Sequence, residues 1–129
     1  MSSLPEILDQ TLKAALQRSQ PQICLPRYLK EIQETEKLPE RIIVLGAGKA
    51  SAEMANALED HWKGTIWGAK LSGLVLTRYG YGVPCKSIEI VEAAHPVPDE
   101  IGQITAQRIL NLAESATNRD LVILSLIHI

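Results

Sequence analysis

Apolar residues recur at three- and four-residue steps over residues 3–19, where Leu4, Ile7, Leu8, Leu12, Ala15 and Leu16 form one stripe. That spacing predicts an amphipathic helix. Pro21 and Pro26 interrupt it. A second short helix is expected over Arg27–Thr35, with Tyr28, Leu29 and Ile32 facing inward. The stretch ETEKLPE reads as a charged connector closed by Pro39. At residue 41 the pattern changes. RIIVLGAGKA is a continuous apolar run ending in glycines, as in a strand buried on both faces. SAEMANALEDHW follows as a helix with Met54, Ala55, Leu58 and Trp62 on one side. Residues 73–77 and the run SIEIVEA predict two more strands, separated by the glycine- and proline-bearing loop RYGYGVPC. HPVPDE is a proline-braced turn. A helix capped by Asp99 follows, with Ile101, Ile104, Ile109, Leu112 and Ala113 at helical spacing. DLVILSLI is a last buried strand.

Strands alternating with helices predict an α/β fold, a mostly parallel, Rossmann-like sheet with flanking helices and with N-terminal helices before the first strand. The 129 residues suit one domain. With aromatics at 4% and no Phe, the core must come from Leu, Ile, Val and Ala. A net charge of -2 argues against a broad nucleic-acid footprint. No apolar run reaches the ~18 residues of a membrane span, and the acidic start MSSLPEILDQ lacks the order of a signal peptide. Cys24 and Cys85 have no metal-ligand spacing, so both are expected to be plain packing or surface residues in a reduced, cytoplasmic compartment. His61, Trp62 and Trp67 are expected at packing or surface positions.

Parallel sheets bind ligands beyond the carboxyl ends of their strands, so the loops after Leu45, Thr77, Ala94 and Ile127 are the ones to read. In the first, Gly46-Ala47-Gly48-Lys49-Ala50-Ser51, glycine permits a tight turn and the helix start offers unpaired N–H groups to an anion. Lys49 adds a full charge, in a place where the helix dipole opposes it. The spacing is not that of a Walker loop. The dinucleotide fingerprint fails too, because Ser51 replaces its third glycine and Thr77-Arg78 stand where an acid is needed. A turn that serves only to pack helix on strand remains the plain alternative. In the second loop, Arg78 could hold a carboxylate or phosphate, with Gly80 and Gly82 bringing backbone N–H groups to the same anion. The plain alternative is a surface loop with a solvated arginine. In the third, His95 is held by Pro96 and Pro98 and could orient a hydroxyl or act as acid or base. It could equally be a satisfied structural donor.

The order RIIVLGAGKASAEMANALE, GLVLTRYGYGVP, IEIVEAAHPVPDE, DLVILSLI is similar to that of the type-2 glycerate kinases, a family that has also carried the name hydroxypyruvate reductase. The resemblance covers residues 6–127 and the first third of a family member. It implies an N-terminal α/β domain, residues 1–129, of a two-domain kinase. Such an enzyme transfers the γ-phosphoryl of ATP to glycerate, giving 2-phosphoglycerate, with a divalent cation, in a cleft between domains. It further implies that Lys49 is catalytic and that Gly46, Gly48, Arg78, Gly80 and His95 line the cleft, with no metal ligand assigned. Tyr81 departs from the histidine usual in the family. Where the family runs on into S-G-G-G-S, this chain reads His128-Ile129, so the chain is expected to be truncated and inactive alone. Two rival readings are an NADP-dependent oxidoreductase, with Arg78 on the 2′-phosphate, and a non-catalytic sugar-phosphate-binding module. No partner beyond these small molecules is implied.

Overall fold

The structure is a computed structural model that describes residues 3–126. His128 and Ile129, and the loop expected after Ile127, lie outside the described residues. Three helices come first: α1 (Leu4–Arg18), α2 (Pro21–Cys24) and α3 (Pro26–Thr35). The prolines that interrupt the N-terminal helical pattern in fact start new helices, since each occupies a first-turn position where no N–H is needed. Strand β1 (Ile42–Ala47), helix α4 (Ser51–Trp62), β2 (Leu71–Arg78), β3 (Ile88–Ala93), α5 (Glu100–Glu114) and β4 (Leu121–Leu126) follow. Among the described residues no helix is long and apolar enough to cross a membrane.

The four strands are all parallel, in the order β3-β2-β1-β4. Parallel strands need crossovers, and these place helices on both faces. One face carries Ile42, Val44, Leu71, Val75 and Ile88 against Leu29, Ala55, Leu58 and Trp62 of α3 and α4. Trp67 closes this core from a 3-10 turn at Gly68–Lys70 that leads into β2. Its ring lies 5.4 Å from that of Trp62. The other face meets α5, whose one buried residue among those described is Thr105.

One expectation fails, and two predicted helices leave their apolar stripes open. Tyr28 does not face inward. It is half exposed, with the Arg27 guanidinium 4.5 Å over its ring. The α1 stripe is real, but Leu4, Leu8 and Leu12 are exposed and α1 buries none of its residues among those described. The apolar positions of α5 are also open, with Ile101 and Ile104 about half exposed. Periodicity finds an apolar face. It does not say what covers that face.

Two contacts fix the sheet. Opposite Val44, a Cβ added to Gly73 would lie 2.0 Å from the Val44 carbonyl oxygen, so only glycine lets β1 and β2 approach there. At the amino ends of β1 and β4, Asp120 accepts from Arg41 Nε at 3.1 Å and Nη2 at 2.7 Å. It also accepts from the Thr117 backbone N–H at 2.9 Å and hydroxyl at 3.0 Å. Held first by the Arg41 guanidinium, this carboxyl lies well below the usual carboxylate range.

Gly73→Ala should destabilise the fold by about 3 kcal/mol, the upper end for overpacking, because backbone cannot swing away. Chemical denaturation checks it, and an unchanged midpoint would remove the close-approach argument. Asp120→Asn should lower the melting temperature at pH 7. A carboxyl with a depressed folded pKa stabilises above its unfolded value of about 3.9 and loses that contribution as pH falls through the folded value. The gap between Asp120→Asn and the parent should therefore narrow in melts taken below pH 4. A gap that is constant with pH would mean the ion pair is not its source.

Candidate anion-binding site

Because all strands run one way, the starts of α4 and α5 sit together at the carboxyl edge, one over each face of the sheet. Between them lies a cavity of about 780 Å³. Its floor is apolar, with Ala47, Leu76, Ala93 and Ala106, and its polar wall carries Lys49, Thr77, Arg78, His95 and Asp99. The structure therefore brings Gly48, Lys49, Arg78 and His95 to one cavity.

Gly46 and Gly80 do not line it among the described residues. Gly46 belongs to β1, and a Cβ there would press on Ser125 at 2.8 Å from its carbonyl oxygen. Its place is a packing one, between β1 and β4. Gly80 has φ +79° and forms the exposed bend after β2. Glycines in a short turn look alike in sequence, and which one faces a ligand depends on the strand's end.

Gly48 has φ +127°, a conformation that L side chains rarely adopt, and there the chain leaves the strand. Its N–H donates to Leu76 O at 3.0 Å. Ser51 is fully buried at the first position of α4, and its hydroxyl donates to Gly48 O and, at 3.2 Å, to Leu76 O. The residue that breaks the dinucleotide fingerprint thus locks the turn. Lys49 precedes the N-cap, Ala50, and is not in the first helical turn. It therefore opposes the helix dipole less directly than the sequence suggested. The N–H groups of Lys49 and Ala50 have no protein acceptor among the described residues.

Two cations, Lys49 and Arg78, meet at this cavity, and neither is neutralised by an ion pair, as is also true of several cations elsewhere on the described surface. Arg41, Arg108 and Arg119 are each paired with a carboxylate, at 2.7, 2.6 and 3.1 Å. Lys49 and Arg78 have no carboxylate partner among the described residues. Two acids, Asp99 and Glu100, also line the cavity, and Asp99 is already engaged. Its Oδ1 accepts from Gly102 N–H at 2.8 Å, and its Oδ2 accepts from Ala94 N–H at 3.2 Å and from the Tyr79 hydroxyl at 2.9 Å. The Gly102 N–H above all holds the Asp99 carboxyl below its ordinary value, and the same bond network raises Tyr79. Sequence marked Asp99 as a cap only. Its tie to Tyr79, twenty residues earlier, leaves no local signal. The cap also brings Ala94, and so His95, to the cavity wall. His95 is exposed there, and the His95–Pro96 peptide is cis.

The second loop is anchored from behind. Gly82 N–H donates to Glu92 Oε1 at 2.7 Å, and the Glu59 carboxylate of α4 accepts from the N–H groups of Lys86, Ser87 and Ile88 at 2.6–3.3 Å. Cys85, beside this anchor, is pushed up to about 11 by burial, so it is a protonated packing thiol at neutral pH. Cys24 is also free. Among the described residues no three metal-ligating side chains cluster.

Unpaired cations, free backbone N–H groups and a fixed turn can hold an oxyanion. The family model described as a domain of unknown function, DUF4147, matches residues 7–127. An Agrobacterium vitis protein provisionally named hydroxypyruvate reductase is 39% identical over 121 residues, covering 94% of this chain and 26% of that protein. The D-glycerate 2-kinase of Thermotoga maritima is 33% identical over 121 residues, covering 92% of this chain and 28% of that one. A crystal structure of glycerate kinase from the same organism matches with a TM-score of 0.74 at 28% identity, over 94% of this chain and 27% of that chain. The chain spans about a quarter of the length of these relatives. This chain belongs to the DUF4147 family and is similar to proteins named glycerate 2-kinase.

Proposed function

We propose that the chain is the N-terminal domain of a two-domain glycerate 2-kinase and forms one wall of its active cleft. The observation that carries this reading is the pair of cations, Lys49 and Arg78, left without a carboxylate beside a cavity at the carboxyl edge of a parallel sheet. Phosphoryl transfer asks a protein mainly for positioning and for positive charge near the transferring group. Lys49 stands beside the free N–H groups at the start of α4, where a phosphate of ATP would be held. Arg78 and His95 are within the same cavity and suit the carboxylate and hydroxyl of glycerate. In this reading the divalent cation arrives on the phosphates of ATP. The NADP-linked alternative is less well supported. Ser51 fills the place of the third fingerprint glycine, and Arg78 ends β2 where an acid would bind ribose.

In the whole polypeptide bearing this domain, Lys49→Ala should lower kcat at least ~100-fold, on the scale of losing one charge-stabilising donor. Its melting temperature should stay unchanged, because the side chain is exposed and unpaired. A variant that melts several degrees lower yet turns over normally would make the lysine structural and sink the assignment. The 129-residue chain alone should form no 2-phosphoglycerate from ATP and glycerate, since positioning and water exclusion need both walls. Turnover above a Lys49→Ala control would show that one wall suffices.

A further inference from the structure

Arg78 is a long side chain on an open edge, and such a side chain costs entropy to hold in one geometry. No protein acceptor fixes its guanidinium among the described residues. What touches it is an aromatic ring, since its Cζ lies 4.6 Å from the centroid of Tyr81. Tyr81 is itself placed by a tight bend. Its N–H donates to the Arg78 carbonyl at 3.1 Å across Gly80. One residue further on, the chain is pinned to β3 through Gly82 and Glu92 at 2.7 Å. The phenol of Tyr81 has no hydrogen-bond partner among the described residues, so its ring face is the part in use.

We infer that Tyr81 is a positioning residue, which holds the Arg78 guanidinium flat against its ring and so presents the N–H fork to an oxyanion in the cavity. The inference rests on the kinase reading for the identity of that oxyanion, the carboxylate of glycerate or a phosphate of ATP. Stacking covers a face of a guanidinium and leaves its N–H edges free, which is the geometry a bidentate contact requires. Tyr81 does not line the cavity among the described residues, whereas Arg78 does, so the ring acts through the arginine. The phenol oxygen is not needed for this role.

Steady-state kinetics on the whole protein test it. Tyr81→Leu should raise KM for one of the two substrates by roughly threefold to thirtyfold, the span of cation–π contacts from exposed to desolvated, with kcat less affected. Tyr81→Phe should restore the parent value. Which KM moves identifies the oxyanion: that of glycerate for its carboxylate, that of ATP for a phosphate. Both KM values unchanged, or Tyr81→Phe as impaired as Tyr81→Leu, would overturn the inference and leave the kinase reading intact. A second measurement does not need turnover. In the NMR spectrum, the Arg78 Nε–H resonance, assigned by its loss in Arg78→Lys, should carry a ring-current shift. That shift should persist in Tyr81→Phe and vanish in Tyr81→Leu. In the parent it should move further on addition of D-glycerate or inorganic phosphate. A resonance at the free-arginine position in the parent, or one indifferent to both anions, would equally refute it. If the protein does not phosphorylate glycerate at all, the kinase reading falls and the resonance still decides the role of Tyr81.

Discussion

Everything in this molecule follows from having β1 paired in parallel on both sides, with β2 and with β4. A strand so placed cannot show either face to water without loss, and its residues from Ile42 to Leu45 are at most 2% exposed. Parallel pairing also demands that each return pass over a face of the sheet. The chain answers with α4 on one face and α5 on the other, and both helices must then begin at the same edge. The cavity is the space left between those two beginnings. Its position is a result of strand direction.

That logic explains which parts of the structure could be read from the sequence. The run RIIVLGAGKA has no polar break, so a doubly buried strand was the only economical reading, and the glycine turn after it followed. Asp99 before an apolar periodic segment gave the start of α5. Contacts between distant residues left no such mark. Arg41 and Asp120 are unremarkable charges seventy-nine positions apart until β1 and β4 lie side by side. Gly46 and Gly48 share a motif, yet one packs against Ser125 and the other turns the chain toward the cavity. The difference is set by where the strand stops, which composition does not encode. For the same reason Lys49 could be placed near the site but not relative to the helix cap.

The two faces of the sheet are unequally finished. On the side of α4 the apolar residues of four strands meet α3 and α4, with Trp62 and Trp67 among them. On the side of α5, Val122 and Leu124 of β4 and Ile101 and Ile104 of the helix are 42–60% exposed. These exposed positions belong to two elements on the same face of the sheet. Its apolar positions are as regular as those of the covered face, so the sequence pattern alone gives no means of telling them apart.

The Asp99 carboxylate has a consequence for how this segment can change. One side chain caps α5, holds the backbone at Ala94 and receives the Tyr79 hydroxyl from another strand's end. The side chains of Tyr79 and Asp99 therefore form one hydrogen-bonded unit across two loops. A designer who transplants the β3–α5 turn into a different parallel sheet, to borrow its histidine, must carry a tyrosine on the neighbouring strand with it. Without that second piece the turn would keep its helix cap and its hold on Ala94 but lose its tie to the adjoining loop.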